Sequence, residues 1–283
     1  MKGLTAYTTD ELMIVCMARE VRDGDILAQG LTTPMAIVAY HLAKATHAPN
    51  ATVMQLAGNI LVHNVEPPRV SLLYNEFRAM ERAVHVSAQT EVYETIFKRA
   101  GSIVEFFRPA QVDMFGNTNN SSIRRGDHML RLPGGFGIPD ASPLYPRCVY
   151  YCPRHERRVF VERVDYLGGL GIKVAEAAGE RREIHIVSEL GIFEVTPEDG
   201  RMRLVSIHPG VTVEKVEENT SFKVLMREKV QETRPPTDLE LRLIREKIDP
   251  LATRRLEILT GEERMKALLE LLEEEAAGLR QPL

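Results

Sequence analysis

Gly24-Asp25-Ile26-Leu27-Ala28-Gln29-Gly30, then Thr33-Pro34-Met35, then Ala51-Thr52-Val53-Met54-Gln55-Leu56: the reading of these three pieces decides the fold class. The first is a short apolar run between glycines, as a buried strand reads. In the second, Thr33 precedes a proline suited to a first helical turn, and Met35, Val38, Leu42 and Ala45 share one face behind it. The third is another buried-strand run. Upstream, Thr8 and Glu11 have the T-x-x-E spacing of a capping box, and Leu12, Val15, Cys16 and Arg19 follow at helical spacing. Helix, strand, helix and strand within the first sixty residues predict an α/β domain with an open, mostly parallel sheet and flanking helices.

Further along, residues 91–100 read as a helix and 102–107 as a strand. Residues 116–146 are rich in Gly, Asn, Ser and Pro, too long for a simple connector, and such segments in compact domains are often functional. Strands are expected at 158–164, 183–188, 192–195 and 201–207. Thr196-Pro197-Glu198-Asp199-Gly200 supplies hairpin turn chemistry between the last two. Pro235-Pro236-Thr237 breaks the chain before helices at 238–248 and 262–277. In the latter, Met265, Leu268, Leu269, Leu272 and Ala276 make one apolar face, the mark of an amphipathic helix that packs on something.

The chain has 283 residues, 44% hydrophobic and 27% charged, enough to bury a real core and too apolar for disorder. Against 40 Asp and Glu stand 36 Lys and Arg, a net charge of −4, so no global basic field calls for nucleic acid or an anionic membrane. The three scattered cysteines, Cys16, Cys148 and Cys152, are an odd number in a chain that needs no staples, which implies a reducing compartment. Asp10, Glu11, Arg19, Glu20 and Arg22 interrupt any signal-like run, and no uncharged apolar stretch reaches the roughly 18 residues of a membrane span. A cytoplasmic protein is expected.

Cys148, Cys152 and His155 form C-x3-C-x2-H, three ligands without a second pair nearby, so no metal site is expected and the thiols read as half-buried beside a loop. Gly168-Gly169-Leu170-Gly171 lacks the spacing of a dinucleotide fingerprint, and no clear helix opens at its last glycine, so it reads as a turn. More promising is Arg131-Leu132-Pro133-Gly134-Gly135-Phe136-Gly137, where three glycines within four positions let backbone N–H groups approach a thioester oxygen or a phosphate. A plain mobile loop fits the composition equally. In Gln111-Val112-Asp113-Met114-Phe115-Gly116-Asn117-Thr118-Asn119-Asn120, clustered amides either bind a polar ligand or close turns.

These two loops, Q-V-D-x-x-G-N-x-N and L-P-G-G-x-G, resemble those of the β subunit of family I CoA-transferases, which include glutaconate CoA-transferase. The likeness also takes in Ala48-Pro49-Asn50-Ala51, residues 158–165 and 187–194, Ser206-Ile207-His208-Pro209-Gly210-Val211-Thr212, Pro236-Thr237-Asp238-Leu239-Glu240-Leu241 and Ile248-Asp249-Pro250. It runs to about Ile258, which divides the chain into a CoA-transferase-like α/β domain, 1–258, and a C-terminal helical extension, 259–283.

The resemblance implies an α-type partner subunit, with the acyl-CoA site between the two chains, most simply in a heterotetramer. In members that transfer CoA, a β-subunit glutamate after the strand that follows A-P-N-A attacks the thioester. Counting from Ala48 puts Leu56 there, ahead of Ala57-Gly58, and leucine is no nucleophile. Gln55, one residue away, is a neutral amide that strand alternation turns to the other face. The departure resembles the steroid C/D-ring-cleaving hydrolases, whose working glutamate lies on the α subunit, more than the decarboxylase branch with a cysteine at that place.

The expected activity is hydrolysis of an acyl-CoA. Gly134, Gly135 and Gly137 supply backbone donors, and Leu56, Gly58, Gln111 and Asn117 line the pocket. No bound cofactor is implied, and coenzyme A enters as part of the substrate. The alternatives are a true CoA-transferase with another nucleophile and a non-catalytic stabilising subunit.

Overall fold

The computed structural model describes residues 6–30, 33–56, 60–62, 69–177, 179, 182–198 and 200–279. Its chain packs as two units, Met1–Tyr93 with Pro236–Leu283, and Glu94–Pro235. The first opens with α1 (Thr9–Arg19), β1 (Ile26–Gln29), α2 (Pro34–Thr46) and β2 (Thr52–Gln55). As expected, β1 and β2 are parallel, in register from Ile26 opposite Thr52 to Gln29 opposite Gln55. The capping box is present: Glu11 accepts from the Thr8 N–H at 3.0 Å, and Pro34 sits in the first turn of α2. Both helices are interior rather than half-exposed, with residues 10–18 and 34–44 buried. Next come β3 (Ile60–Val62), α3 (Asn75–Glu81) and β4 (His85–Val86), with β3 antiparallel to β2 and β4 antiparallel to β3. The unit boundary falls within α4 (Gln89–Arg99).

The second unit contains β5 (Ile103–Phe107), β6 (Gln111–Asp113), β7 (Thr118–Asn119), β8 (Ser122–Arg125), β9 (His128–Arg131), α5 (Ile138–Ala141) and β10 (Arg147–Cys152). There follow β11 (Phe160–Val161), α6 (Ile172–Ala177), β12 (Glu183–Ser188), β13 (Gly191–Val195), β14 (Met202–Ile207), α7 (Val213–Glu218) and β15 (Leu225–Glu232). β10 pairs in parallel with both β5 and β12, and β15 in parallel with β14, whereas β12, β13 and β14 form antiparallel hairpins. Each parallel pair is separated by a segment containing a helix, the crossover that parallel strands require. The fold is therefore α/β, as expected.

The structure corrects several details. Residues 147–152 are a fully buried strand, so Cys148 and Cys152 are not half-buried beside a loop. R-C-V-Y-Y-C shows no polar alternation because both faces of the strand are covered. Of the expected strand 158–164 only Phe160–Val161 pairs, and the 116–146 segment holds β7, the β8–β9 hairpin and α5. A short helix, α6, does open just after Gly171.

The C-terminal segment returns to the first unit as α8 (Asp238–Arg242), a π-helical stretch at Leu243–Ile248, a 3-10 turn at Thr253–Glu257 and α9 (Gly261–Leu279). Arg254 is its anchor. Its guanidinium reaches Asp10 at 2.7 Å, Glu11 at 3.0 Å and Asp249 at 3.0 Å, which matches the buried carboxylates of α1 with charge. On α9 the buried residue is Leu271, outside the expected face, of which Leu268, Leu272 and Ala276 are half-buried and Met265 and Leu269 exposed, so the face that packs is turned from the expected one. Near its end Glu275 accepts from the Ser71 hydroxyl and from the N–H groups of Leu72 and Leu73.

Candidate functional site

The amide-rich loop closes on itself. Asp113 accepts from the N–H groups of Phe115 and Asn117, both at 3.0 Å, and from the Asn117 amide at 2.9 Å. Burial pushes the Asp113 carboxyl above its usual range, and those hydrogen bonds offset part of the rise. Asn117 Oδ1 accepts from the Gly171 N–H at 2.8 Å, an approach that only glycine permits because a Cβ there would collide with the Phe115 carbonyl. Gln111 Oε1 accepts from Asn119 at 2.7 Å and from the Asp165 N–H at 3.1 Å, while its Nε2 donates to Asp165 at 3.0 Å. The polar atoms of Gln111 and Asn117 thus hold the loop together and tie it to Asp165 and Gly171, the turn-closing one of the two uses that the sequence leaves open.

The glycine loop is fastened to this scaffold. The Leu132 N–H donates to Ser121 O and the Gly134 N–H to Asn120 O, each at 2.9 Å, so the structure brings the two motif loops together. It also removes Gly134 from the expected set of donors. Among the described residues the N–H groups of Gly135 and Gly137 make no hydrogen bond. Gly134 has φ +106°, and Phe136 between them has φ +48° with its ring 72% exposed. A non-glycine residue with positive φ at an exposed loop tip is held strain of the kind that gathers at functional sites.

Leu56 lies in the first unit, half-buried in the turn after β2, its N–H donating to Gln29 O at 3.1 Å. Gly58 lies outside the described residues. Beside Leu56, the buried Gln55 donates its amide to Gln29 Oε1 at 3.3 Å. Gln29 and Gln55 end the parallel pair β1 and β2, and carboxyl ends of parallel strands are where ligands bind in open α/β sheets. Leu56 thus belongs to one packing unit, and Gln111, Asn117 and the three glycines to the other.

Other reactive side chains are occupied or suppressed. His155 hydrogen-bonds to Ser188 Oγ and Thr220 Oγ1, both at 2.9 Å, stacks on Phe160 at 3.7 Å, and is lowered by burial to about 3. Burial raises the Cys148 thiol to about 11 and the Cys152 thiol to about 12, far from a thiolate at neutral pH. One titratable group escaped sequence reasoning: Glu105, buried in β5, is raised by burial to about 7, and the Tyr145 hydroxyl donates to it at 3.2 Å. Its signal was a lone carboxylate inside Ile103-Val104-Glu105-Phe106-Phe107.

A glycine loop with unspent N–H groups suits a thioester oxygen, and comparison with known proteins bears on that chemistry. The family model for Coenzyme A transferase matches residues 11–219. The chain belongs to the coenzyme A transferase family. This CoA-transferase family chain is 33% identical over 256 residues to the Cholesterol ring-cleaving hydrolase IpdB subunit of Mycobacterium tuberculosis, covering 89% of this chain and 98% of the relative. To the B subunit of 3-oxoadipate CoA-transferase from Pseudomonas knackmussii it is 29% identical over 253 residues, 86% of this chain and 94% of the relative. Among solved structures, the decarboxylase AibA/AibB matches with a TM-score of 0.76 at 26% identity, covering 89% of this chain and 99% of the matched one. The chain is therefore a β-type enzyme subunit of the family. Among the described residues no helix is long and apolar enough to cross a membrane.

Proposed function

We infer that the chain is the β-type subunit of a two-chain acyl-CoA enzyme that uses water rather than a second carboxylate as acceptor, a hydrolase of ring-cleavage type with its catalytic glutamate on the α-type partner. The observation that carries this reading is Leu56. Residues 51–59, Ala-Thr-Val-Met-Gln-Leu-Ala-Gly-Asn, contain no carboxylate and no thiol where the resemblance requires the nucleophile. An apolar side chain there forms no glutamyl thioester, and it offers a wall to a bulky hydrophobic acyl group. Identity to the ring-cleaving subunit supports the same branch.

In this reading the thioester oxygen accepts from the Gly135 and Gly137 N–H groups, while Gly134 holds the loop to Asn120. Donors fixed before reaction stabilise developing negative charge without reorganising. Gln111 and Asn117 act by shaping that loop, Gly58 lies beside Leu56 in sequence, and coenzyme A arrives as part of the substrate. Residues 1–258 make the acyl-CoA-handling domain and 259–283 an added helix.

The test is product analysis of the purified two-chain complex with an alicyclic acyl-CoA, with and without a carboxylate acceptor. Hydrolysis independent of the acceptor is expected. Strict dependence on an acceptor overturns this reading and favours CoA transfer, the alternative that the similarity to 3-oxoadipate CoA-transferase supports.

A further inference from the structure

Exposed apolar side chains are unevenly spread over the described residues. Leu73, Phe77, Met80, Val84, Val86 and Tyr93, each 39% to 64% exposed, all fall within residues 73–93 of the first unit. Elsewhere such residues stand singly, in adjacent pairs such as Met129 with Leu130 and Tyr166 with Leu167, or one helical turn apart, as Phe97 follows Tyr93 on α4 and Leu269 follows Met265 on α9.

The elements that carry these residues are also connected: α3 packs on β3, which pairs with β4. Phe77 and Met80 are exposed on one side of α3 and Ala79 is buried on the other, while Val84 follows in the bend between α3 and β4. Val86 lies on β4, which pairs with β3 along one edge and ends its sheet at the other among the described residues. Glu91 accepts from the Ala88 N–H at 3.0 Å and lies 3.4 Å from His85 Nε2, which ties the start of α4, and with it Tyr93, to that strand.

Six side chains at these exposures present on the order of 600 Å² of apolar surface. That is the upper end of what a lone soluble chain shows, and most of the roughly 800 Å² that one partner contributes to a stable interface. We propose that the face built from residues 73–93 is where the α-type subunit docks, through a matching apolar surface that covers Phe77 and Val84 and closes the β4 edge. The proposal rests on the two-chain reading above. The solved decarboxylase that shares this fold is itself named for two chains, AibA and AibB, which favours an unlike partner over a second copy.

The experiment co-expresses the full chain with an α-type chain from the same genome and measures association for the wild type, for Phe77→Glu/Val84→Glu, and for Tyr93→Arg. These positions are 64%, 63% and 49% exposed, so the lone variant chains are expected to keep the wild-type circular dichroism and melting temperature. The double variant should bind the partner about a hundredfold more weakly or worse, because two charges would be buried unpaired in an apolar interface. In the wild-type complex, amide hydrogen exchange should slow within 73–93 on partner binding, a readout independent of any variant. Unchanged affinity of the double variant, or unchanged exchange over 73–93, overturns the proposal while leaving the two-chain reading intact. Loss of self-association with partner binding retained also overturns it and assigns the face to a second copy. Failure of the wild type to bind an α-type chain overturns both.

Discussion

Leu56 follows β2 with its N–H tied to Gln29 O, and the proposed function puts it at the place of the family's carboxylate. Borohydride treatment of the complex in the presence of its acyl-CoA should therefore leave the mass of this chain unchanged. A CoA-derived adduct on any of its carboxylates would sink the hydrolase reading. Leu56→Glu should give little transfer, because a half-buried carboxyl, with no cation among the described residues placed to stabilise it, is raised in pKa and loses nucleophilicity. At the glycine loop, a Cβ on Gly135 would meet Pro139 Cδ at 3.4 Å, an ordinary contact, so Gly135→Val should fold normally. Its branched side chain would crowd the N–H, and turnover should fall by roughly two to three orders of magnitude, as when an oxyanion donor is lost. A folded Gly135→Val complex with wild-type turnover would reduce the loop to a connector. Gly134 differs, since its φ of +106° strains any side chain and its substitution should lower the melting temperature as well.

Among the elements, α1 depends on a segment more than two hundred residues away in sequence. Arg254→Ala strands Asp10, Glu11 and Asp249 without their shared guanidinium and should cost about 3–5 kcal/mol in urea unfolding, the usual penalty for breaking a buried pair. A loss below about 1 kcal/mol would mean that water replaces the guanidinium. The carboxylates do not respond alike. Burial alone would raise Glu11, but Arg245, the Thr8 N–H and Arg254 outweigh it and hold that carboxyl low, whereas at Asp249 burial wins and the pKa rises. Helix α9 reaches the rest of its unit through Leu271 and through Glu275 on residues 71–73. Truncation after Ile258 should therefore lower stability or weaken assembly, and leave the turnover of any assembled complex unchanged. Full stability together with selective loss of turnover would contradict that assignment.

At the scale of the molecule, stability should fall as pH drops from 6.5 towards 5. Burial lowers His41 and His155 to about 3 and His208 to about 4, while the unfolded chain titrates near 6.5. Above pH 6.5 both states are neutral and the full stability is present. Below it the unfolded state takes up protons first, which removes up to about 1.4 kcal/mol per pH unit for each histidine. Glu105, raised to about 7, acts with the opposite sign between pH 4.5 and 7, because there the folded state binds the extra proton. Asp113, Glu189 and Asp249, also raised by burial, act with the same sign as Glu105, so the net slope falls below the histidines' own, and His155→Gln should remove about one proton from the pH dependence of the urea midpoint. A slope unchanged by that substitution would show that His155 is charged in the fold.

Local signals were sufficient where an element needs only its own residues. Gly24, Gly30 and Pro34 punctuate short apolar runs, and the alternation of helix and strand up to Leu56 follows from them, as does the placing of a glycine-rich loop at 131–137. Strand β10 was not legible, because a run covered on both faces has no polar period to betray it, and the short β7, β8 and β9 are hidden by turn residues. Tertiary structure alone decided how polar groups are shared. It gave the Gly134 N–H to Asn120, the Gln111 amide to Asp165, the Asn117 amide to Asp113, and Arg254 to carboxylates 243 and 244 residues upstream. The physical reason is that a buried donor or charge must find a partner wherever the chain brings one. Residue type and local spacing say which groups need partners, and only the packed chain says which partners they get.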